Sequence, residues 1–143
     1  MIELGSGTFD FWLGTWDCGF DGGHAVNTVT RELGDRVIRE HFVVDRPRSW
    51  TGTSVSVHSN QAGWRQTWVD ESGNYWAFVG GLVDGCPSFA TPVPVDGDDE
   101  NPPLYKRMVF TDITDDGFNW RWESSPDGDR WTIDWRIRYS RRP

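Results

Sequence analysis

The chain has 143 residues and a formal net charge of -8, and 15% of it is aromatic, with 10 Trp and 8 Phe. That length suits one domain, residues 1-143, and each large aromatic buries roughly 150–250 Å², so a packed core is expected and disorder is not. The basic residues are scattered apart from the stretch "RIRYSRR" at 136–142, which argues against a nucleic-acid backbone or an anionic membrane as partner.

The first ten residues, "MIELGSGTFD", carry neither a basic segment nor an apolar run. No stretch approaches the ~20 apolar residues of a membrane span, so a cytoplasmic location is expected. Cys18 and Cys86 lie far apart with no CxxC spacing, and both are expected to be free thiols.

The elements follow in order. Ser6 to Leu13 predicts one short helical turn, with Ser6 or Thr8 as its cap. A strand follows in which Trp16, Cys18 and Phe20 share a face. Leu33 to Asp35 then separates "HAVNTVTRE" from "RVIREHFVV", where Ile38, Glu40, Phe42 and Val44 share a face. In "TSVSVHS" the dry face is expected to be Val55 and Val57, which turns Ser54, Ser56 and His58 outward. In "WRQTWVD", Trp64, Gln66, Trp68 and Asp70 share a face, as do Trp76, Phe78 and Gly80 in "YWAFVGGLV".

Asp84-Gly85 turns the chain into "CPSFATPV", and Pro94 to Pro103 then breaks the rhythm with an acidic, proline-rich segment. This segment reads as a solvated loop near one barrel mouth, a candidate lid; its spacing does not match a calcium loop, and no metal is expected. "KRMVFTDI" and "FNWRWE" follow, the latter with Phe118, Trp120 and Trp122 on one face. Asp127-Gly128 predicts a tight hairpin turn before "RWTIDWRIRY", in which Trp131, Ile133, Trp135, Ile137 and Tyr139 alternate with polar residues. The pattern predicts an all-β fold of about eight to ten short strands joined as neighbours, a meander that escapes open edges by closing into an antiparallel barrel.

Gly14-Thr15-Trp16, placed just after a helical turn, resembles the calycin superfamily of lipocalins and fatty-acid-binding proteins. The longer stretches "FDFWLGTWD", "GTSVSVHSNQAGWRQTWVDESGNYWAFVGG" and "FTDITDDGFNWRWESSPDGDRWTIDWRIRY" resemble the bacterial DUF1579 and DUF1579-like barrels, from Phe9 to Tyr139. The resemblance implies a calycin-like barrel with an internal cavity, and it implies no particular reaction. Lipocalins often pack a late Arg over the motif Trp, for which Arg136, Arg138 and Arg141 are the candidates. Nitrobindin-like haem barrels open on a similar Leu-Gly-Thr-Trp stretch but need a late His, and this chain has none after His58. Neither haem nor any other cofactor is expected.

Glu40 stands out chemically, as a carboxylate between Ile38 and Phe42 on an apolar face. An unpaired buried charge costs several kcal/mol. Glu40 is therefore either held in a structural hydrogen bond or ion pair inside the barrel, with Arg31 or Arg107 as candidate partner, or a pocket acid of raised pKa. The candidate ligand contacts are Phe42, Gln66, Trp68, Trp76, Phe78 and Trp120, with Gly80 and Gly81 leaving room for a ligand. Trp16, Trp122, Trp131 and Trp135 are expected in the core. His41 is expected to face outward, and the three scattered His form neither a zinc spacing nor a nucleophile motif.

Two functions follow for this pattern. One is binding of a small apolar or aromatic molecule in the barrel; the other is a cofactor-free enzyme of isomerase or cyclase type that uses Glu40. A barrel simply filled by its Trp side chains is the third possibility, and a homodimer is left open.

Overall fold

The computed structural model describes residues 4–143. Ten strands run β1 Gly14–Phe20, β2 Gly23–Glu32, β3 Val37–Arg46, β4 Trp50–Ser59 and β5 Gly63–Asp70. They continue with β6 Tyr75–Val83, β7 Cys86–Ala90, β8 Tyr105–Thr111, β9 Gly117–Ser125 and β10 Thr132–Arg141. Each pairs antiparallel with the next, and β10 returns to pair with β1 through Trp16↔Arg141 and Cys18↔Tyr139. The meander is thus closed and leaves no free edge. This closed ten-stranded antiparallel barrel fits a calycin-like fold.

The expected helical turn is shorter than Ser6–Leu13, a 3-10 turn over Asp10–Trp12. No side chain caps it, and Thr8 Oγ1 instead accepts from the Gly5 amide at 2.8 Å. Aromatic burial holds it in place of a cap. Phe9 stacks on Phe89 at 4.5 Å, Phe11 meets Phe110 and Phe118 edge-on at 5.4 Å, and Trp16 Nε1 donates to the Trp12 carbonyl at 2.8 Å. The N-terminal aromatic run therefore plugs one end of the barrel.

A single basic residue straps the plug down. The Arg141 guanidinium lies 4.1 Å from the Trp16 ring centre. It donates to the carbonyls of Leu13 at 2.7 Å, Asp115 at 2.8 Å and Phe11 at 3.2 Å. Of the three Arg candidates for a position over the motif Trp, Arg141 occupies it.

Two strands depart from the expected faces. In β4 the inward residues are Ser54 and Ser56, at 2% and 0% exposure, while Val55 is 37% exposed. Cross-strand register explains the inversion: Ser54 lies opposite Glu40 and Ser56 opposite Gln66, so the small hydroxyls serve interior polar groups and the Val side chains face out. His58 therefore shares the inward face, half-buried with its ring 5.5 Å from that of Trp64. In β10 the register shifts between Ile133 and Trp135, so Trp135, Ile137 and Tyr139 face inward. Ile133 pairs opposite Glu123, and Trp131 lies outside under the Arg107 guanidinium at 3.8 Å. A bulge adds one residue to one strand and reverses the faces beyond it.

Cys18 and Cys86 are both free, and Cys18 is buried. Among the described residues, no helix is long and apolar enough to cross a membrane.

Candidate functional site

The plug fills one half of the barrel, and the other half holds a cavity of about 240 Å³. Its base is Glu40, 6% exposed. Ser54 Oγ donates to Glu40 Oε1 at 2.7 Å, and Asn27 Nδ2 donates to Oε2 at 2.7 Å. The same Asn27 nitrogen donates to the Tyr139 hydroxyl at 3.0 Å. Each carboxylate oxygen thus keeps acceptor capacity beyond its one protein partner. Burial raises the Glu40 pKa, and the bonds from Ser54 and Asn27 partly oppose that rise. Burial likewise pushes up the Tyr139 hydroxyl and, next to it, the Cys18 thiol.

Aromatic side chains form the walls. Phe42, Phe78, Trp120, Trp122 and Trp135 all line the cavity. Trp120 and Trp122 lie parallel with centroids 6.2 Å apart, and Trp135 meets Trp120 edge-on at 5.7 Å.

Trp50, Trp68 and Trp76 form the rim, and each indole N–H is tied to the loops. Trp50 Nε1 donates to Ser72 Oγ at 3.0 Å, Trp68 Nε1 to Asp70 Oδ2 at 2.8 Å, and Trp76 Nε1 to Asp96 Oδ2 at 2.7 Å. Asp70 is itself fixed, accepting from the Ser72 amide at 2.9 Å and from Asn74 Nδ2 at 3.1 Å. The 94–103 segment lies at this mouth as expected, folded on the Val95↔Leu104 bridge and linked to Trp76 through Asp96. Among the described residues, no group of His, Cys, Asp and Glu is arranged to hold a metal.

The Trp68 indole lies across Gly52 of β4. A Cβ at position 52 would stand 2.1 Å from Trp68 Cζ2. A strand-interior glycine costs about 0.5–1 kcal/mol relative to alanine; at this position it makes room for the rim indole.

Of the sequence-derived site residues, Glu40, Phe42, Trp68, Trp76, Phe78 and Trp120 come together on the cavity, and Gln66 does not. Gln66 is buried on the inward face but away from the cavity, and its Nε2 donates to Ser56 Oγ at 3.0 Å. Of the structural alternatives for Glu40, the hydrogen bonds are present and, among the described residues, the ion pair is not. Arg31 pairs with Asp10, and Arg107 with Glu123 at 2.6 Å on the outer wall, where Arg121 joins them at 2.6 Å. Gly80 gives no room to a ligand, because its missing Cβ would stand 2.5 Å from Trp64 Cβ.

Trp122 and Trp135, expected in the core, line the cavity, together with Trp50, Met108, Ile137 and Tyr139. Sequence reasoning also missed Asn27. The signal was available in the alternation Ala25, Asn27, Val29 along β2, an amide on a face otherwise apolar.

No protein-family model matches this chain, and no curated protein matches it in sequence.

Proposed function

We propose that the barrel binds a small apolar or aromatic molecule in the cavity at its mouth. The observation that carries this reading is the arrangement of Trp120, Trp122 and Trp135, which stand around open space of about 240 Å³ and do not fill it. Anchored indoles support it further. A pre-organised apolar pocket with a few fixed polar groups is the usual architecture of a small-molecule site. Membership in the DUF1579 or DUF1579-like barrels is part of the proposal and rests on the sequence resemblance alone.

Glu40 supports a second reading. A carboxyl group whose pKa burial has raised, at the base of an apolar pocket, is a stronger proton acceptor than a solvated one and is suited to acid–base work. On that reading the protein is a cofactor-free isomerase or cyclase and Glu40 is its acid–base.

The proposed surroundings follow from the outer face. Outward Arg39, Arg65 and Arg121 support a water-facing, cytoplasmic barrel, and a net charge of -8 is unsuited to nucleic acid or anionic membrane. A homodimer is supported by the exposed Val55, Val69 and Val79 on neighbouring strands β4, β5 and β6.

Native mass spectrometry of protein purified from its own cells tests the binding reading. A retained small molecule, released on denaturation, is the expected result. A bare polypeptide mass, together with failure to take up two-ring aromatic probes whether neutral, cationic or anionic, would refute it.

A further inference from the structure

We infer that the cavity selects a small aromatic cation, an ammonium-bearing molecule of about two fused rings, over neutral and anionic molecules of the same shape. This rests on the binding reading above and adds the charge of the ligand to it.

The first ground is an incomplete charge balance. Glu40 and Asp70 line the cavity, and among the described residues no Lys, Arg or His does. Glu40 has only neutral partners, Asn27 and Ser54, at 2.7 Å each. The two candidate cations are engaged elsewhere, Arg31 on Asp10 and Arg107 on Glu123. A buried carboxylate held only by neutral donors is stabilised most by a cation that arrives with its own shell of apolar contacts. The burial that raises the pKa of Glu40 also makes such a counter-charge more effective.

The second ground is the orientation of the aromatic rings. The Trp68 and Trp76 N–H groups are turned to Asp70 and Asp96, so the positive edges of these indoles are already satisfied. Trp68, Trp76, Trp120 and Trp122 all line the cavity, and the indole surface not taken up by ring contacts such as Trp76 on Trp122, at 5.1 Å between centroids, is left for the ligand. An ammonium within about 6 Å of an aromatic face is attracted to it, more strongly as water is excluded.

The third ground is exclusion. A carboxylate ligand would meet two carboxylates and no counter-charge, so a fatty-acid anion is a poor occupant. Size sets the rest of the class. A cavity of about 150 Å³ takes up benzene, and this one, at about 240 Å³, has room for a second fused ring.

Isothermal titration at neutral pH and low salt tests the inference with one skeleton in three charge states: 2-naphthylmethylammonium, 2-naphthylmethanol and 2-naphthoate. The ammonium is expected to bind at least about tenfold tighter than the alcohol, with no measurable binding of the naphthoate. In Glu40→Gln the ratio of ammonium to alcohol affinity is expected to fall below about threefold. Equal binding of ammonium and alcohol, or any preference for the naphthoate, overturns the inference while leaving the cavity as a neutral-ligand site. No binding of all three overturns the binding reading itself. The wild-type comparison decides the matter even if Glu40→Gln does not fold, and a folded variant that keeps the full preference also overturns the role of Glu40.

Discussion

Gly52→Ala tests whether the rim indoles shape the site. Ordinary contact with a Cβ begins at 3.4 Å, so the Trp68 ring, now 2.1 Å from where that Cβ would stand, must retreat by about 1.3 Å. It is hemmed in by Trp50 at 6.1 Å and Phe42 at 6.4 Å between centroids, and its N–H is held on Asp70 at 2.8 Å. A shift of that size breaks the Asp70 bond, which contributes about 1 kcal/mol, and overpacks the wall at a further cost of about 1–2 kcal/mol. Relief of glycine's backbone entropy returns about 0.5–1 kcal/mol. The net expectation is a loss of about 1–2 kcal/mol. With an unfolding entropy of about 2.1 cal/mol/K per residue, that lowers Tm by roughly 3–7 °C. Affinity for 2-naphthylmethylammonium should fall about tenfold, because a rim face is displaced. Gly19→Ala is the control. Gly19 lies in β1 with nothing within 4 Å of its missing Cβ, so it should be neutral or raise stability by up to about 1 kcal/mol. Calorimetry and titration of the two variants give the answer. A Gly52→Ala protein with unchanged Tm and affinity within about twofold of wild type would show that Trp68 moves freely and that the rim is not pre-organised.

Arg141→Ala should destabilise the barrel by about 1–2 kcal/mol, since three carbonyl partners and the Trp16 stack are lost together while water replaces part of them at this exposed residue. Arg141→Lys should recover less than half of that in a thermal melt, because a point ammonium cannot span the three acceptors; full recovery would mean that charge alone matters. Glu40 sets a pH dependence of definite sign. Its folded pKa lies above the ordinary 4.5, so its contribution to stability is fully present below that value and is lost as pH rises through the folded pKa. The Tm of Glu40→Gln minus that of wild type should therefore grow more positive from pH about 4.5 toward neutrality; a difference that stays constant over that range would contradict the assignment.

Much of the fold was legible because turn chemistry and alternation agree. Asp127-Gly128 and Asp84-Gly85 mark hairpin turns with glycine at positive φ, and the face of Ile38, Glu40, Phe42 and Val44 is buried as expected. Strand β4 was misread because polarity usually reports the wet face, a rule that fails where the interior itself needs hydroxyls opposite Glu40 and Gln66. The bulge at Ile133 left no mark, since Trp131 to Tyr139 alternates without interruption in sequence while the backbone changes register. Six of the seven candidate site residues reached the cavity, because strand periodicity places side chains on faces. Depth along the strand is not encoded in that period, which is why Gln66 faces inward away from the cavity while Trp122 and Trp135 line it.

The seam between β1 and β10 also constrains how the molecule reaches its native state. Every other strand pair joins sequence neighbours, whereas Trp16 and Arg141 meet across almost the whole chain. Closing a loop of that length costs on the order of 4 kcal/mol in chain entropy, and no contact offsets it until the last strand docks. Before then β1 and β10 are both open edges, and the rings that will line the cavity are in water. Long-range pairing of this kind slows folding and prolongs exposure of such edges. Refolding is therefore expected to be limited by seam closure, with Trp16 reaching its buried fluorescence only in the final phase. The same delay makes the unclosed ten-strand sheet the species most prone to aggregate.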